Sequence, residues 1–272
     1  MKSVILFLIA SAAVTVDCYA QKFHVGATTG INTTFILDKG LTEDPRYNST
    51  YTYSFSPIGL SAGVDFGPRF GLQLESILTN QEQIFEVIDI AKTVVGERRI
   101  DVQSINIPLL FKFMSGGTGK ARMNFSLGPQ LGIITDGLET IEYAASTQEI
   151  PPGVAIPEGS IENADGTYQV PALSRTELLS TVAENELEQF KKTQVQFAAN
   201  VGVDIDITDN IYLSTLVRAN YSLTDMRNDE LVALLKQGNN LAEDIFGRRA
   251  SLLVGFQFGV HYMFGGVWSG RR

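Results

Sequence analysis

Eight separate runs of alternating apolar and polar residues predict an all-β fold. The architecture they point to is an eight-stranded antiparallel up-and-down transmembrane β-barrel with long external loops containing short helices. Two further observations support this. Connections between the runs are alternately short and long, and the polar face of the runs mixes charges of both signs with glycine, serine and asparagine. A strand turns successive side chains to opposite faces, so each run has one greasy face and one small or polar face. Segments of about ten such residues separated by turns suit a barrel in lipid. A closed ring also pairs the backbone groups for which lipid offers no partner.

The first 20 residues read as a secretory leader. Lys2 supplies the positive end, Val4 to Val16 the apolar stretch, and Cys18-Tyr19-Ala20 a small residue at the cut, leaving residues 21–272 as one outer-membrane barrel domain. Asp17 argues against reading Cys18 as a lipid anchor. Cys18 is the only cysteine, so the cleaved chain carries no thiol chemistry. No apolar run approaches the roughly 18 residues that a spanning helix needs.

Run one sends Phe23, Val25, Ala27, Thr29, Ile31 and Phe35 to one face, with His24, Gly26, Thr28, Gly30 and Asn32 on the other. Run two sets Ile58, Leu60, Ala62, Val64 and Phe66 against Gly59, Ser61, Gly63 and Asp65. After Gly67-Pro68-Arg69, run three sets Phe70, Leu72, Leu74 and Leu78 against Gln73, Glu75 and Ile77. Run four places Ile105, Ile107, Leu109, Phe111 and Phe113 outward; run five does the same with Met123, Phe125, Leu127, Leu131 and Ile133. Their opposite faces carry Lys112 and Arg122. Run six alternates from Val195 to Ile205, with Asp204 on its polar face. A Thr208-Asp209-Asn210 turn leads to run seven, where Arg218 is polar-side. Run eight, Val254 to Phe264, points its aromatics out and His261 in. Short connections two, four and six fit hairpin turns facing the periplasm; connections one, three, five and seven read as external loops.

Two loop segments carry helical signals. Ser174-Arg175-Thr176-Glu177 matches a capping box followed by Leu178, Leu179, Val182, Leu187 and Phe190 at helical spacing, and Met226 to Lys236 reads as a short helix stopped at Gly238. The net charge of −9 is concentrated in loop 135–190, where eleven acidic residues stand against Arg175 alone. A basic nucleic-acid footprint is absent.

A soluble eight-stranded lipocalin-like barrel is apolar inside. Here the charged face suits a narrow lumen, because an eight-stranded barrel is only wide enough for its own side chains. The opposite face has no charge in its central stretches, and aromatics gather at both ends of it, as at membrane interfaces. Lipid outside is the reading that follows, which places the chain in a bacterial outer membrane. Pro108 and Pro129 each remove a ladder donor within a run, so a bulge or kink is expected there.

Ile107-Pro108-Leu109-Leu110-Phe111-Lys112, then Leu127-Gly128-Pro129-Gln130-Leu131-Gly132, resembles the paired strand motifs of the PorT-like outer-membrane β-barrel family of Bacteroidetes-type bacteria. Phe70-Gly71-Leu72-Gln73-Leu74-Glu75 and Val260-His261-Tyr262-Met263-Phe264 resemble it as well, so the likeness covers residues 22–265. It implies an eight-stranded barrel in which both prolines are expected, and no single activity. The chain departs from many barrels in continuing past Phe264, with residues 265–272 read as a periplasmic tail.

The candidate functional residues are a lumen charge network of Asp65, Glu75, Lys112, Arg122, Asp204 and Arg218, and a seam pair of His24 and His261. A metal site needs more ligands than two histidines, so a hydrogen-bonded pair is expected. Salt bridging accounts for Glu75 and Asp204 more simply than catalysis. Ser115-Gly116-Gly117-Thr118-Gly119-Lys120 lacks the P-loop spacing and leads into a strand. No catalytic residue, metal or cofactor is therefore expected. The acidic loop lacks a calcium-loop pattern and offers a surface to divalent cations or to a basic partner. The expected protein is a monomer embedded in outer-membrane lipid, with a plugged lumen and a structural or interaction role toward other envelope proteins through its external loops. Accessory work in secretion or surface assembly, a narrow solute channel and a surface enzyme remain alternatives.

Overall fold

The computed structural model describes residues 21–115, 120–154, 156–178, 190–236 and 248–265. Eight long strands form the wall: β1 (Lys22–Asp38), β2 (Thr52–Asp65), β3 (Phe70–Ile88), β4 (Val94–Met114), β5 (Ala121–Tyr143), β6 (Thr193–Asp206), β7 (Ile211–Ser222) and β8 (Arg249–Met263). Each pairs antiparallel with the next. β1 pairs β8 from His24 opposite Met263 to Asp38 opposite Arg249, which closes the ring. Among the described residues no helix is long and apolar enough to cross a membrane; the crossing is made by strands. The candidate leader (1–20), the tail (266–272), the segment 179–189, the glycine-rich turn at 116–119 and the helix stop at Gly238 lie outside the described residues.

Side-chain alternation holds in all eight runs. Leu60, Val201 and Phe256 point outward and are 61%, 49% and 57% exposed, while Asp65, Glu75 and Asp204 point inward and are buried. At the Gly67-Pro68-Arg69 turn, Gly67 takes a φ of 149°, and Phe66 N–H donates to Phe70 C=O at 2.9 Å. In the next described tight turn, Thr208 Oγ1 accepts from the N–H groups of Asn210 and Ile211 at 3.3 and 3.0 Å.

The prolines act differently from expectation. Pairing of β4 with β5 lapses for Leu109 and Leu110, opposite Pro129 and Gly128 respectively, then resumes in the same register. The missing proline donor opens the ladder without inserting a residue. Gly128 is required there, because a Cβ would lie 1.9 Å from Leu109 O. Register shifts fall elsewhere, between Thr28 and Gly30, Val87 and Ile88, and Gln103 and Ser104.

A second departure lies outside the membrane. Strands β3, β4 and β5 continue far past their apolar bands, so connection three shrinks to a tip at residues 89–93 and loop five begins at residue 144. Tyr47–Thr50 extends this wall beside β3. Leu173–Leu178 extends it beside β5, pairing Leu173 with Tyr143 and Leu178 with Leu138. The capping-box reading of Ser174 to Glu177 is therefore overturned: those residues are strand, recruited by the free edge of β5. A three-stranded sheet of Ser146–Gln148, Tyr168–Val170 and Ile161–Glu162 sits in the same loop. The short helix expected near residue 230 is present as Asp229–Lys236. A further single turn, Lys39–Thr42, is capped by Asp38 Oδ1, which accepts from Gly40 N–H at 2.9 Å and from Leu41 N–H at 3.4 Å.

Interior polarity reverses in this extension. Within the membrane the inward residues are His24, Asn106, Gln130 and their like; above it they are Ile36, Leu41, Phe85, Ile100 and Val102, joined by Phe190 and Met226 from two loops. Burying each such side chain contributes roughly 1.5–3 kcal/mol. The external wall thus carries its own small hydrophobic core.

Candidate functional site

The inward side chains of the membrane-spanning strands form stacked layers. Nearest the short turns, His24 on β1 and His261 on β8 come together with ring centroids 6.1 Å apart, edge to face. They do not hydrogen-bond each other. His24 Nδ1 pairs with Tyr212 Oη at 3.2 Å. His261 lies between Ser61 Oγ (3.3 Å) and Ser214 Oγ (2.9 Å) and stacks on the Tyr212 ring at 4.6 Å. Glycine makes this possible, since a Cβ on Gly26 would stand 2.2 Å from His261 Nδ1. Asp65 is fully buried, with Oδ1 3.7 Å from His24 Nε2. Among the described residues no three His, Cys, Asp or Glu side chains are grouped as a metal site needs.

Five of the six charges sort into three pairs, one completed by a partner outside the set named from sequence, and the sixth, Asp65, stands beside His24. Lys112 Nζ lies 3.5 Å from Asp204 Oδ2, and Asn124 Nδ2 donates to both Asp204 oxygens at 3.2 Å. Arg122 Nη2 donates to Asp206 at 2.7 Å. Asp206 stands two residues beyond Asp204 on the same face, so strand periodicity extended by one step finds it. Both cations also approach the Tyr212 ring, at 5.5 and 5.7 Å. One layer higher, Arg218 Nη1 donates to Glu75 Oε2 at 2.6 Å and to Gln257 Oε1 at 2.8 Å, while its Nε donates to Asn220. Gln73 donates to the other Glu75 oxygen. β3 and β7 stand on opposite sides of the ring, so the Arg218–Glu75 pair spans the lumen. Pairing and hydrogen bonding of this kind offset the cost of burying these charges.

A third layer marks the external rim. Arg249 Nε donates to Asp38 Oδ2 at 2.6 Å, Arg249 Nη1 lies 3.8 Å from Glu139 Oε2, and Arg98 pairs with the other Glu139 oxygen. Burial alone would raise the Asp38 and Glu139 carboxyls. Arg249 for Asp38, and Arg98 then Arg249 for Glu139, outweigh it and hold both below the usual carboxylate range. Counting inward positions further along β1, β4 and β8 would have found Asp38, Arg98 and Arg249; Glu139 lies past a register shift on β5 between Ile134 and Asp136 that moves the inward face by one residue.

This geometry, an apolar outer band around a polar, charge-paired interior with short turns at one end, defines an integral β-barrel of the bacterial outer membrane. The chain belongs to the family described as outer membrane protein beta-barrel domain, whose model matches residues 19–228. None of the curated proteins matches this chain. Among solved structures it is similar to the Neisserial surface protein A, at 10% identity and a TM-score of 0.38, over 88% of this chain and 96% of that one. It is similar to OprG of Pseudomonas aeruginosa at 11% and 0.41, over 90% and 96%. A further likeness is to Ail, the attachment invasion locus protein of Yersinia pestis, at 9% and 0.36, over 89% and 98%. The protein resides in the outer membrane, in contact with its lipid.

Proposed function

We propose that this chain is a monomeric structural or interaction protein of the outer membrane, with a lumen plugged by its own side chains and with external loops that engage other envelope proteins. The observation that carries the reading is the Arg218–Glu75 pair, bonded at 2.6 Å between opposite strands. A hydrated ion must displace these groups to pass, and either charge left alone in the interior is costly. The layers of Lys112–Asp204, Arg122–Asp206 and Gln130–Gln196 close the remaining section. Nothing in these layers sets a nucleophile beside a base at the external mouth, which supports a non-enzymatic role. The finer assignments are membership of the PorT-like subgroup and removal of residues 1–20 as a leader.

Single-channel recording in planar bilayers tests the plug. The wild-type barrel is expected to give no stable open steps; regular steps would reject the plug and favour the narrow solute channel. Deleting residues 144–172, with crosslinking in intact cells as the readout, tests the loop role. An unchanged set of crosslinked neighbours would reject it.

A further inference from the structure

The interior holds two closures in series, a polar one within the membrane and one built around apolar loop residues above it. Below the level of Ser251 the lumen contains buried polar atoms that no protein group satisfies: both oxygens of Asp65, Nε and Nη1 of Arg122, Asn124 Oδ1, Thr28 Oγ1 and Arg218 Nη2 among them. Among the described residues all such atoms belong to the membrane-spanning strands, and none to the external core. Beside Arg218 and Thr28 lies a cavity of about 20 Å³ lined by Asn32, Ser56, Thr79 and Asn220 together with the apolar Ile77 and Leu253. A cavity of that size has room for a water where it meets two to four polar partners.

Above Ser251 apolar side chains pack beside the paired charges of Asp38, Arg249, Glu139 and Arg98. Phe190, from the β5–β6 connection, and Met226, from the β7–β8 connection, are 6% and 0% exposed against Ile36, Phe85, Ile100 and Val102. The two loops are stitched together and to the wall. Lys191 N–H donates to Met226 C=O at 2.8 Å, and Met226 N–H donates to Arg249 C=O at 3.0 Å. The Arg249 guanidinium lies 5.8 Å from the Phe190 ring centre.

We propose that the polar lumen is hydrated and that the Phe190–Met226 cap is a separate, dry seal that keeps it from the cell exterior. The inference rests on the plugged-lumen reading and adds a second barrier to it. The cap belongs to loops, so it opens by loop displacement while the barrel beneath stays intact. The charge plug cannot open in that way.

The test places a reporter just beneath the seal. Ser251 is 3% exposed and its Oγ donates to Gln81 at 2.7 Å. A Ser251→Cys variant in intact cells is treated from outside with a small, charged, membrane-impermeant methanethiosulfonate, against the Ser251 parent as background. The introduced thiol is expected to stay unlabelled with the cap intact. Phe190→Ser and Met226→Ser, singly and together, are expected to speed labelling at least tenfold while the barrel keeps its heat-modifiable gel mobility. Met226→Ala is the milder form if the serine variants fail to assemble. Rapid labelling with the cap intact, or an unchanged rate in assembled cap variants, would overturn the proposal. Conductance separates the two readings: open steps from the wild type defeat both closures, whereas open steps only from cap variants defeat the plug and leave the seal standing.

Discussion

The membrane-spanning half and the external half of this barrel use the same strands and the same alternation with opposite polarity. On β3, Leu72 and Leu74 face lipid while Gln73 and Glu75 face the lumen; fewer than fifteen residues later Phe85 and Val87 face inward while Glu82 and Glu86 face out. The period of two comes from the backbone and does not change. What changes is the solvent on the outer side, lipid below and water above. Interior chemistry follows: hydrogen-bonded polar groups and charges where lipid takes up the apolar side chains, and, beside the Asp38–Arg249–Glu139–Arg98 layer, a hydrophobic core where water would not.

Substitutions that place the same change in both halves sharpen this contrast. The largest effect is expected from Arg218→Ala, which leaves Glu75 buried without its partner at a cost of about 3–5 kcal/mol. Urea unfolding of the barrel reconstituted in vesicles reads this out. Replacing the pair together, Arg218→Met with Glu75→Leu, should cost clearly less than either single change; an equal loss would mean that the pair does not act as a unit. Next comes Phe256→Lys on the lipid face, expected to destabilise by roughly 2–4 kcal/mol in the same assay. Stability within error of wild type would place Phe256 outside the hydrocarbon.

Acid should separate the halves without any mutation. Asp38 and Glu139 sit at the external rim with carboxyls held below their ordinary values by Arg249 and Arg98. Their contribution is full above the unfolded carboxylate range. It is lost as pH falls through the lower folded values. Hydrogen exchange, corrected for its intrinsic pH dependence, should show residues 94–101 and 136–143 losing protection on acidification below that range while residues 196–204 keep theirs. Simultaneous loss in both segments would mean that the rim has no stability of its own. The smallest effect belongs to Glu86→Lys on the outer face of the extension, where a surface change is expected to stay within about 0.5 kcal/mol.

The contrast also explains what could be read from the sequence. The eight membrane runs, their inward and outward residues and the closing β1–β8 seam follow from alternation with a constant apolar side. The extension of β3 to β5 was hidden because that side switches, so Asn80, Glu82 and Glu86 resembled a loop. The Ser174 to Glu177 capping box was legible as local chemistry but lost to the open edge of β5, a partner distant in sequence. Inward charges could be named one by one. Their pairing could not, because it depends on strand stagger, which matches Arg122 with Asp206 and leaves Asp65 beside His24. For the same reason the histidines could be placed as neighbours while their bonds to Tyr212, Ser61 and Ser214 stayed out of sight.

The most direct test of the inverted interior is collision accessibility of nitroxides in the reconstituted barrel. Spin labels at Leu60, Leu109, Val201 and Phe256 should collide often with oxygen and rarely with a water-soluble nickel chelate, and labels at Glu86 and Glu97 should show the reverse. Nickel access at the first four positions matching that at Glu86 and Glu97 would contradict a lipid-facing band and the reversal built on it.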